Sequence, residues 1–536
     1  MTLSLSSHLI VLPVVLPLLA GALLIVINEN RHSLKWALNL LATALQAVIA
    51  VSLLVLVDSE HWQDGIGVYL AGNWAAPFGI VLLVDRLAAL MLVLTAVLGC
   101  GVLVYSMSSW SRIGVHFHSL LQFLLMGLNG AFLTHDLFNL FVFFEVMLAA
   151  SYGLLLHGYN LQRIRAGMQF IAINLVASLM FLLGVTLIYA ATGSLNMADI
   201  ALLARQPESV DAGLLQLGAG VLGIAFLVKG AAWPLGFWLP TTYAAASPPV
   251  AAMFVLMTKV GVYAILRVWS LTFGGEHPFL GGFGGQWLYW AGLVTLVFGA
   301  FGILASDRHG RLAGYAAVIS SGTLLALIGL GDPALLAITV YYLITSTLAL
   351  AAFMLLAELI ERSHDTVAAL LSVTQEAFDF EEAPEQPVGV SIPASFALLS
   401  VFFAVSVIVL TGMPPLAGFL AKLGMLMLLL SGSSGTQGVL LGTVIIVAGL
   451  CAIIAMLRYG VRTFWASGAS AARLRVTEVI PVAGLLLICV LLTVWAAPAL
   501  DYVARATAGL QDAELYFRSV MSHPVIPGPA TGGAQP

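Results

Sequence analysis

The chain has 536 residues, of which 61% are hydrophobic and only 8% are charged. Soluble domains average about 25% charged residues, so this composition excludes a water-soluble fold and predicts a protein embedded in lipid. The net charge of −5 is small, and no basic run indicates nucleic-acid binding.

Long apolar runs follow one another along the chain. A membrane-spanning helix needs roughly 20 mostly apolar residues, and fourteen runs meet that requirement. In chain order they cover 8–27, 36–57, 80–106, 115–134, 136–157, 164–191, 213–239, 248–268, 286–305, 312–330, 333–361, 391–432, 437–457 and 477–499. The run 391–432 is too long for one straight crossing and contains Gly412-Met413-Pro414-Pro415. It therefore forms either two spans or one broken span.

The charges of the loops favour the single broken span. Cytoplasmic loops carry the excess of Lys and Arg. One broken span places twelve loop Lys and Arg residues on one side and four on the other, whereas two spans give ten and six. With one broken span, the smaller group is Arg205, Arg267, Arg505 and Arg518, and both termini are predicted on the non-cytoplasmic side.

The order of the runs predicts two repeated units. The pattern Pro-Leu-x-x-aromatic-Leu occurs at 234–239 and again at 415–420, which is consistent with five-helix repeats in segments 4–8 and 9–13. Residues 362–390 carry six Asp and Glu residues and are predicted to form a cytoplasmic loop. The whole organisation is then N-terminal helices in 1–106, a first repeat in 115–268, a second in 286–466, a last helix in 477–499 and a polar tail in 500–536, which begins as a short helix.

Three of the four lysines lie inside apolar runs. These are Lys229, Lys259 and Lys422, whereas Lys35 is assigned to a loop. A lysine in mid-membrane costs about 2.5–3.5 kcal/mol on insertion scales. A buried lysine without a partner charge favours its neutral form strongly enough to exchange a proton near neutral pH. The three lysines therefore predict a proton path.

Glu145 lies at the centre of its run and carries a similar cost. A buried glutamate and lysine can offset each other as an ion pair. Glu145 and Lys229 form either a fixed pair that only locks helix packing or a movable pair that directs protons. Lys259 and Lys422 have no central acidic residue to pair with, which favours the proton path.

Prolines interrupt the helices beside two of these lysines. Pro234 follows Lys229, while Pro414 and Pro415 precede Lys422. Proline breaks a helix, and transporters place such breaks beside their mid-membrane sites. Hydroxyls in helices usually bond to their own backbone, but those between Lys259 and Lys422 are predicted to hold a water file. They include Tyr315, Ser320, Ser321, Thr345 and Ser346.

Other polar residues receive structural interpretations. Asp85 beside Arg86 is interpreted as an interface anchor or a local packing pair, and Asp136 as solvated at a rim. The three cysteines are scattered in apolar runs, which favours small core residues over a metal site or a disulfide framework.

These residues together resemble the proton-translocating antiporter family shared by respiratory complex I and Mrp-type antiporters. The matching stretches are FNLFVFFEVM around Glu145, LVKGAAWPLGFWLPTTYAAASPPVAAM around Lys229, TKVGVYAILR around Lys259, RLAGYAAVISSG, and GMPPLAGFLAKLG around Lys422. The resemblance runs from roughly Asp85 to Arg462. It implies an all-α polytopic membrane protein of about fourteen helices, with two inverted five-helix repeats and with helices seven and twelve broken.

The resemblance also implies roles. Glu145 and Lys229 would be a modulating pair, Lys259 the connecting group and Lys422 the terminal group. Many relatives carry a lysine or histidine in helices ten and eleven, where this chain reads ISSGTLL and YYLITSTLALAAF. Hydroxyls and water must then join Lys259 to Lys422.

Within the family, the chain is most similar to the D subunits of multisubunit monovalent cation (Na+ or K+)/proton antiporters. That implies a transporter subunit rather than an enzyme, without a cofactor, in a bacterial inner membrane with other membrane subunits as partners. The alternative is a membrane-arm subunit of a complex I-like oxidoreductase or a membrane hydrogenase. A scaffold with an inactive channel is a third hypothesis, which the buried lysines disfavour.

Overall fold

The computed structural model describes residues 5–108, 110–158, 160–206, 210–274, 280–377, 394–431, 435–464 and 474–523. Within these ranges the chain is almost entirely helical. The helices are α1 (Leu5–Leu9), α2 (Leu12–Val26), α3 (His32–Asp58), α4 (Arg86–Ser106), α5 (Phe117–Leu133), α6 (Leu137–Leu155), α7 (Leu161–Thr192), α8 (Met197–Leu203), α9 (Ala212–Lys229), α10 (Trp238–Ala245), α11 (Pro248–Thr272), α12 (Gly285–Leu304), α13 (His309–Gly329), α14 (Pro333–Ala377), α15 (Ala394–Thr411), α16 (Ala417–Leu430), α17 (Gly435–Phe464), α18 (Val476–Val494), α19 (Ala496–Ala508) and α20 (Ala513–Met521). Two strands, β1 (Gly67–Leu70) and β2 (Val81–Val84), pair antiparallel.

Twelve helices of the described ranges are long and apolar enough to cross a membrane. They are α3, α4, α6, α7, α9, α11, α12, α13, α14, α15, α17 and α18. The chain is thus a multi-pass membrane protein with the all-α fold that the sequence predicts. Each of the fourteen predicted runs contains a helix, but α2, α5 and α16 are shorter, so a count of fourteen crossings stays a prediction.

Helix α11 lies at the centre of the molecule. In the apolar 18-residue part of α11, 100% of the residues are buried, and in the corresponding parts of α13 and α14 89% are buried. By contrast, only 39% of the residues are buried in the apolar parts of α3 and α7, and both helices have leucines on their exposed faces. A helix that is apolar on all sides belongs in the core of a membrane bundle. Lys259 therefore lies in the most enclosed helix of the fold.

Both predicted helix breaks are present. Helix α9 ends at Lys229, and α10 begins only at Trp238, with Pro234 in the connection. Helix α15 ends at Thr411, Pro414 and Pro415 follow, and α16 begins at Ala417. Proline has no N–H to donate and cannot continue a helix. Lys229 precedes the break between α9 and α10, whereas Lys422 follows the break between α15 and α16.

The predicted run 80–106 is wrong at its start. Residues 81–84 form β2, which pairs with β1 in the register Gly67 to Val84 and Leu70 to Val81. Helix α4 begins after this strand. Asp85 caps it, because its carboxylate accepts a hydrogen bond from Ala88 N over 2.8 Å. A short continuous apolar run has no period that separates a buried strand from a helix, which explains the error.

Helix α14 continues past its predicted end at residue 361. It extends to Ala377, because residues 362–377 contain neither Gly nor Pro. The first part of the predicted acidic loop is therefore helical, and residues 378–390 lie outside the described residues. The predicted polar tail begins as a helix, as expected, but α19 and α20 also pack against the bundle, with Tyr516 only 3% exposed.

Candidate functional site

Glu145 and Lys229 lie close to each other without touching. Glu145, in the middle of α6, accepts a hydrogen bond from the Ser178 hydroxyl on α7. Lys229 Nζ donates to Asn174 Oδ1, also on α7, over 3.2 Å. The two charges are near enough to attract each other, yet no ion pair within 4 Å joins them in the described part of the chain. The structure thus places the predicted pair side by side in an open arrangement.

The surroundings of Lys229 explain how a lysine fits there. Gly261 of α11 lies against the end of α9, and a Cβ at that position would lie 2.6 Å from Gly230 N and 3.0 Å from Lys229 Cβ. The lysine side chain is buried, and its Nζ lies 5.9 Å from the centre of the Phe144 ring. An aromatic face attracts a cation weakly. In the part of the chain that the structure describes, the groups in direct contact with the Lys229 ammonium are therefore neutral.

Lys259 begins a short chain of hydroxyls. Its Nζ, fully buried in α11, donates to Ser320 Oγ on α13 over 2.7 Å. Ser320 donates in turn to Ser346 Oγ on α14 over 3.0 Å. The Tyr342 hydroxyl also interacts with Ser320. The chain joins α11, α13 and α14, and α14 packs against α16, the helix that carries Lys422.

The other predicted hydroxyls do not join this chain. Thr345 donates to Tyr341 O of its own helix over 3.1 Å, as the general behaviour of helical hydroxyls predicts. The Tyr315 ring packs edge-on against Phe298, with 6.0 Å between ring centroids. Ser321 Oγ is buried and has no hydrogen-bond partner in the described part of the protein. Of the five predicted residues, Ser320 and Ser346 therefore belong to the hydroxyl chain, which ends where Ser346 donates to Leu343 O of its own helix over 3.2 Å.

Lys422 occupies the second helix break. It is half-buried in α16, and its Nζ donates to Thr411 O at the end of α15 over 2.6 Å. The last carbonyls of a helix have no intrahelical donor and carry partial negative charge. Gly412 leaves room for the side chain, because a Cβ at that position would lie 2.4 Å from Lys422 Cδ.

A shared feature links these three sites. Each lysine donates to a neutral oxygen: the Asn174 amide, the Ser320 hydroxyl and the Thr411 carbonyl. Such acceptors bind an ammonium but hold no fixed countercharge. A proton on any of the three lysines is therefore solvated by the protein without being trapped in an ion pair.

Residues 134–449 match the family described as NADH:quinone oxidoreductase/Mrp antiporter, TM. This chain belongs to that family. All four residues of the predicted proton path fall inside the matched region. The D subunit of a probable K(+)/H(+) antiporter of Rhizobium meliloti (strain 1021) is 48% identical over 97% of this chain and 98% of its own length. The D subunit of a Na(+)/H(+) antiporter of Alkalihalophilus pseudofirmus is 32% identical over 96% of this chain and 99% of its own.

Solved structures of the antiporter family share the fold. A chain of the Mrp complex from Dietzia sp. DQ12-45-1b has a TM-score of 0.81 at 24% identity, covering 97% of this chain and 100% of that one. A chain of respiratory complex I from Thermus thermophilus has a TM-score of 0.72 at 22% identity, covering 94% and 99%. At these identities the likeness shows the fold alone.

Outside the family match, the interpretation of Asp85 is wrong. Asp85 does not pair with Arg86 but binds Arg267 of α11 through two contacts of 2.5 and 2.8 Å. Tyr516 of α20 donates to the same carboxylate over 2.6 Å. Burial alone would raise the pKa of the Asp85 carboxyl, but Arg267 and Tyr516 lower it to about 2. Arg267, which the sequence places among the loop charges, is thus buried inside a helix.

Two smaller assignments also change. Lys35 lies in α3 rather than in a loop, and its buried Nζ is 2.7 Å from Glu29 Oε1. Asp136 is buried and not solvated, because its carboxylate caps α6 by accepting from Asn139 N over 2.8 Å. Both corrections have one cause: residues at the ends of helices are expected to be exposed, whereas neighbouring elements cover them.

The sequence reasoning also missed a buried polar network between α3 and α5. Gln122 Nε2 donates to Asn39 Oδ1 over 2.6 Å and to Thr43 Oγ1 over 2.9 Å, and Gln46 Nε2 donates to Gln122 Oε1 over 2.8 Å. Hydrogen bonds of this kind join helices inside a membrane. The signal was available, because Asn39, Thr43 and Gln46 recur at helical spacing in an apolar run.

Proposed function

We propose that this chain is the D subunit of a multisubunit monovalent cation/proton antiporter and that protons move through it along Glu145, Lys229, Lys259 and Lys422. The observation that carries the proposal is that, among the described residues, each of the three lysines donates its hydrogen bond to a neutral oxygen. A lysine held in a strong ion pair keeps its proton, whereas one solvated by amide, hydroxyl or carbonyl oxygen releases it when its surroundings change. The identity to antiporter D subunits over nearly the full chain supports the assignment.

The open Glu145–Lys229 arrangement supports a role as a switch. When the two side chains meet, the ion pair holds a proton on Lys229. When they separate, Lys229 releases that proton towards Lys259, which passes it along Ser320 and Ser346. Water carries it from Ser346 to Lys422 at the second break, since hydroxyls donate and accept and so relay protons with water.

We further propose that the subunit lies in a bacterial inner membrane with both termini on the non-cytoplasmic side. Other membrane subunits of the complex are its partners. The cation is Na+ or K+, since one of the two relatives is named for a K+/H+ antiporter and the other for a Na+/H+ antiporter. Labelling of cysteines introduced at both ends of the chain, from each side of the membrane, tests the orientation.

Replacement of the paired residues tests the proton path. Lys229→Ala and Glu145→Ala are made in the whole complex, and cation-induced collapse of a pH gradient is followed in inverted vesicles. Both variants are expected to lose exchange while the complex still assembles. Leu217→Ala on the outward face of α9 is the matched control. Normal exchange by Lys229→Ala in an assembled complex would refute the proton path.

The second candidate is a membrane-arm subunit of a complex I-like or hydrogenase assembly, which the shared fold favours. The proton path would be the same, but electron transfer in partner subunits would drive it. Purification of the complex through a tag on this chain distinguishes the two. An antiporter yields small membrane subunits and exchange without a reductant, whereas a redox pump yields subunits with flavin or iron–sulfur absorbance and is inactive without electrons.

A further inference from the structure

Helix α7 places two polar residues between the paired charges. Asn174 and Ser178 are both buried, in the otherwise apolar stretch 170–185 of this helix. They are four residues apart and so lie on the same face. Ser178 contacts Glu145 of α6, and Asn174 contacts Lys229 of α9. Buried polar groups are costly unless they are hydrogen-bonded, and each of these two side chains makes one hydrogen bond to a member of the pair.

The orientation of Asn174 is set within its own helix. Its Nδ2 donates to Phe170 O over 2.9 Å, which leaves Oδ1 directed at Lys229 Nζ. The amide therefore accepts from the lysine and cannot turn its donor side towards it without breaking the bond to Phe170.

Ser178 departs from the usual behaviour of a helical serine. A hydroxyl in a helix generally donates back to a carbonyl three or four residues earlier. Ser178 instead donates across to the Glu145 carboxylate. That bond restrains the carboxylate on α6 beside α7.

We infer that Asn174 and Ser178 are positioning residues that hold the Glu145–Lys229 pair open. Asn174 keeps the ammonium of Lys229 on its own oxygen, and Ser178 keeps the carboxylate of Glu145 on its hydroxyl. Closure of the pair then requires breaking both bonds, so the two residues determine the fraction of time that Lys229 is free to release its proton. This inference rests on the proposed function of Lys229 in proton transfer.

Few other charges compete at this point. Besides Glu145 and Lys229 themselves, the helices packed around Lys229 carry titratable groups on α6 (Tyr152), α7 (Arg163, Arg165 and Tyr189), α10 (Tyr243) and α11 (Lys259, Tyr263 and Arg267). Tyr243 and Tyr263 donate to the Phe254 and Phe132 carbonyls, and Lys259 is bound to Ser320. Among the described residues, Glu145 is the charge that acts electrostatically on Lys229.

The pH dependence of exchange tests the inference in the intact complex. The variants are Asn174→Ala, Asn174→Leu, which keeps the side-chain shape, and Ser178→Ala. Each frees one member of the pair to close on the other, so proton release requires a more alkaline medium. The pH of half-maximal exchange is expected to rise by about one unit, because the carboxylate of Glu145 in the closed ion pair stabilises the protonated form of Lys229. Ser178→Thr, which retains the hydroxyl, and Leu175→Ala, on the exposed face of α7, should keep the parental profile.

The direction of the shift separates the alternatives. If Asn174 merely solvates the ammonium, its removal destabilises the charged lysine and moves the profile to lower pH. An acid shift, an unchanged profile, or loss of exchange at every pH in assembled Asn174→Leu and Ser178→Ala complexes would each overturn the inference. Lys229→Ala is run in parallel. If that variant exchanges normally, the proton path itself fails; if it is inactive while the Asn174 profiles are unchanged, only the positioning role fails.

Discussion

At the scale of single residues, the charged members of the site could be predicted and their partners could not. A lysine or glutamate in an apolar run is rare and costly, so Glu145, Lys229, Lys259 and Lys422 are conspicuous in the sequence. Their partners are an asparagine, two serines and a backbone carbonyl. Neutral groups of this kind are common in helices, and most of them bond to their own backbone. Only the packing of α7, α13 and α15 shows which ones do not.

Ser320 is the residue through which Lys259 connects to α14. Ser320→Ala removes both the acceptor for Lys259 and the donor to Ser346. Exchange by the whole complex is expected to fall about tenfold, which corresponds to roughly 1.4 kcal/mol in the barrier to proton transfer. The measurement is the rate of cation-induced pH change in inverted vesicles. Thr347→Val is the control, because its equally buried hydroxyl bonds to Leu343 O of its own helix. Equal rates for both variants would exclude Ser320 from the path.

At the scale of elements, the breaks were predictable but the environment they create was not. Proline marks where α9 and α15 end. The sequence does not show that the freed carbonyl of Thr411 accepts a hydrogen bond from Lys422, nor that Gly412 leaves room for the lysine side chain. These features depend on neighbouring helices. The short strand β2 was missed for the same reason, since pairing with β1 and not local pattern defines it.

Gly412 is the position where this environment is most sensitive. Its φ of +77° lies in the left-handed region, and a Cβ there would overlap Lys422 Cδ at 2.4 Å. Gly412→Ala is expected to displace Lys422 from Thr411 and to abolish exchange. Gly193→Ala is the control, because Gly193 has a φ of +69° but open space around its Cα. Both variants carry the backbone strain of about 1–2 kcal/mol, so a similar loss of exchange in both would attribute the effect to strain and not to Lys422.

At the scale of the whole molecule, composition and run length predicted the class and most helices, because lipid tolerates few other structures. Composition and run length do not predict which residues far apart in the sequence contact each other. Asp85 before α4, Arg267 in α11 and Tyr516 in α20 lie far apart in the sequence but meet in one buried cluster. Arg267 also donates to Tyr263, whose hydroxyl donates to Phe132 O at the end of α5. No local sequence pattern predicts this cluster, since each of its residues alone resembles an ordinary charged or aromatic residue at a helix end.

This cluster makes a prediction about stability that is independent of proton transfer. Removing one partner of a buried ion pair costs about 3–5 kcal/mol, because the other charge is left uncompensated. Asp85→Ala is therefore expected to lower the thermal stability of the detergent-solubilised complex markedly. The double variant Asp85→Ala with Arg267→Ala should lose less stability than the sum of the losses in the two single variants.

The pH dependence of this stability follows from the pKa of Asp85, which is lowered to about 2 in the folded state. The contribution of Asp85 to stability is therefore complete above the usual carboxyl pKa of about 3.9 and is lost only as the pH falls from there towards 2. The difference between the parent and Asp85→Ala should then be constant between about pH 5 and 8, and a difference that disappears across that interval would contradict the ion-pair account.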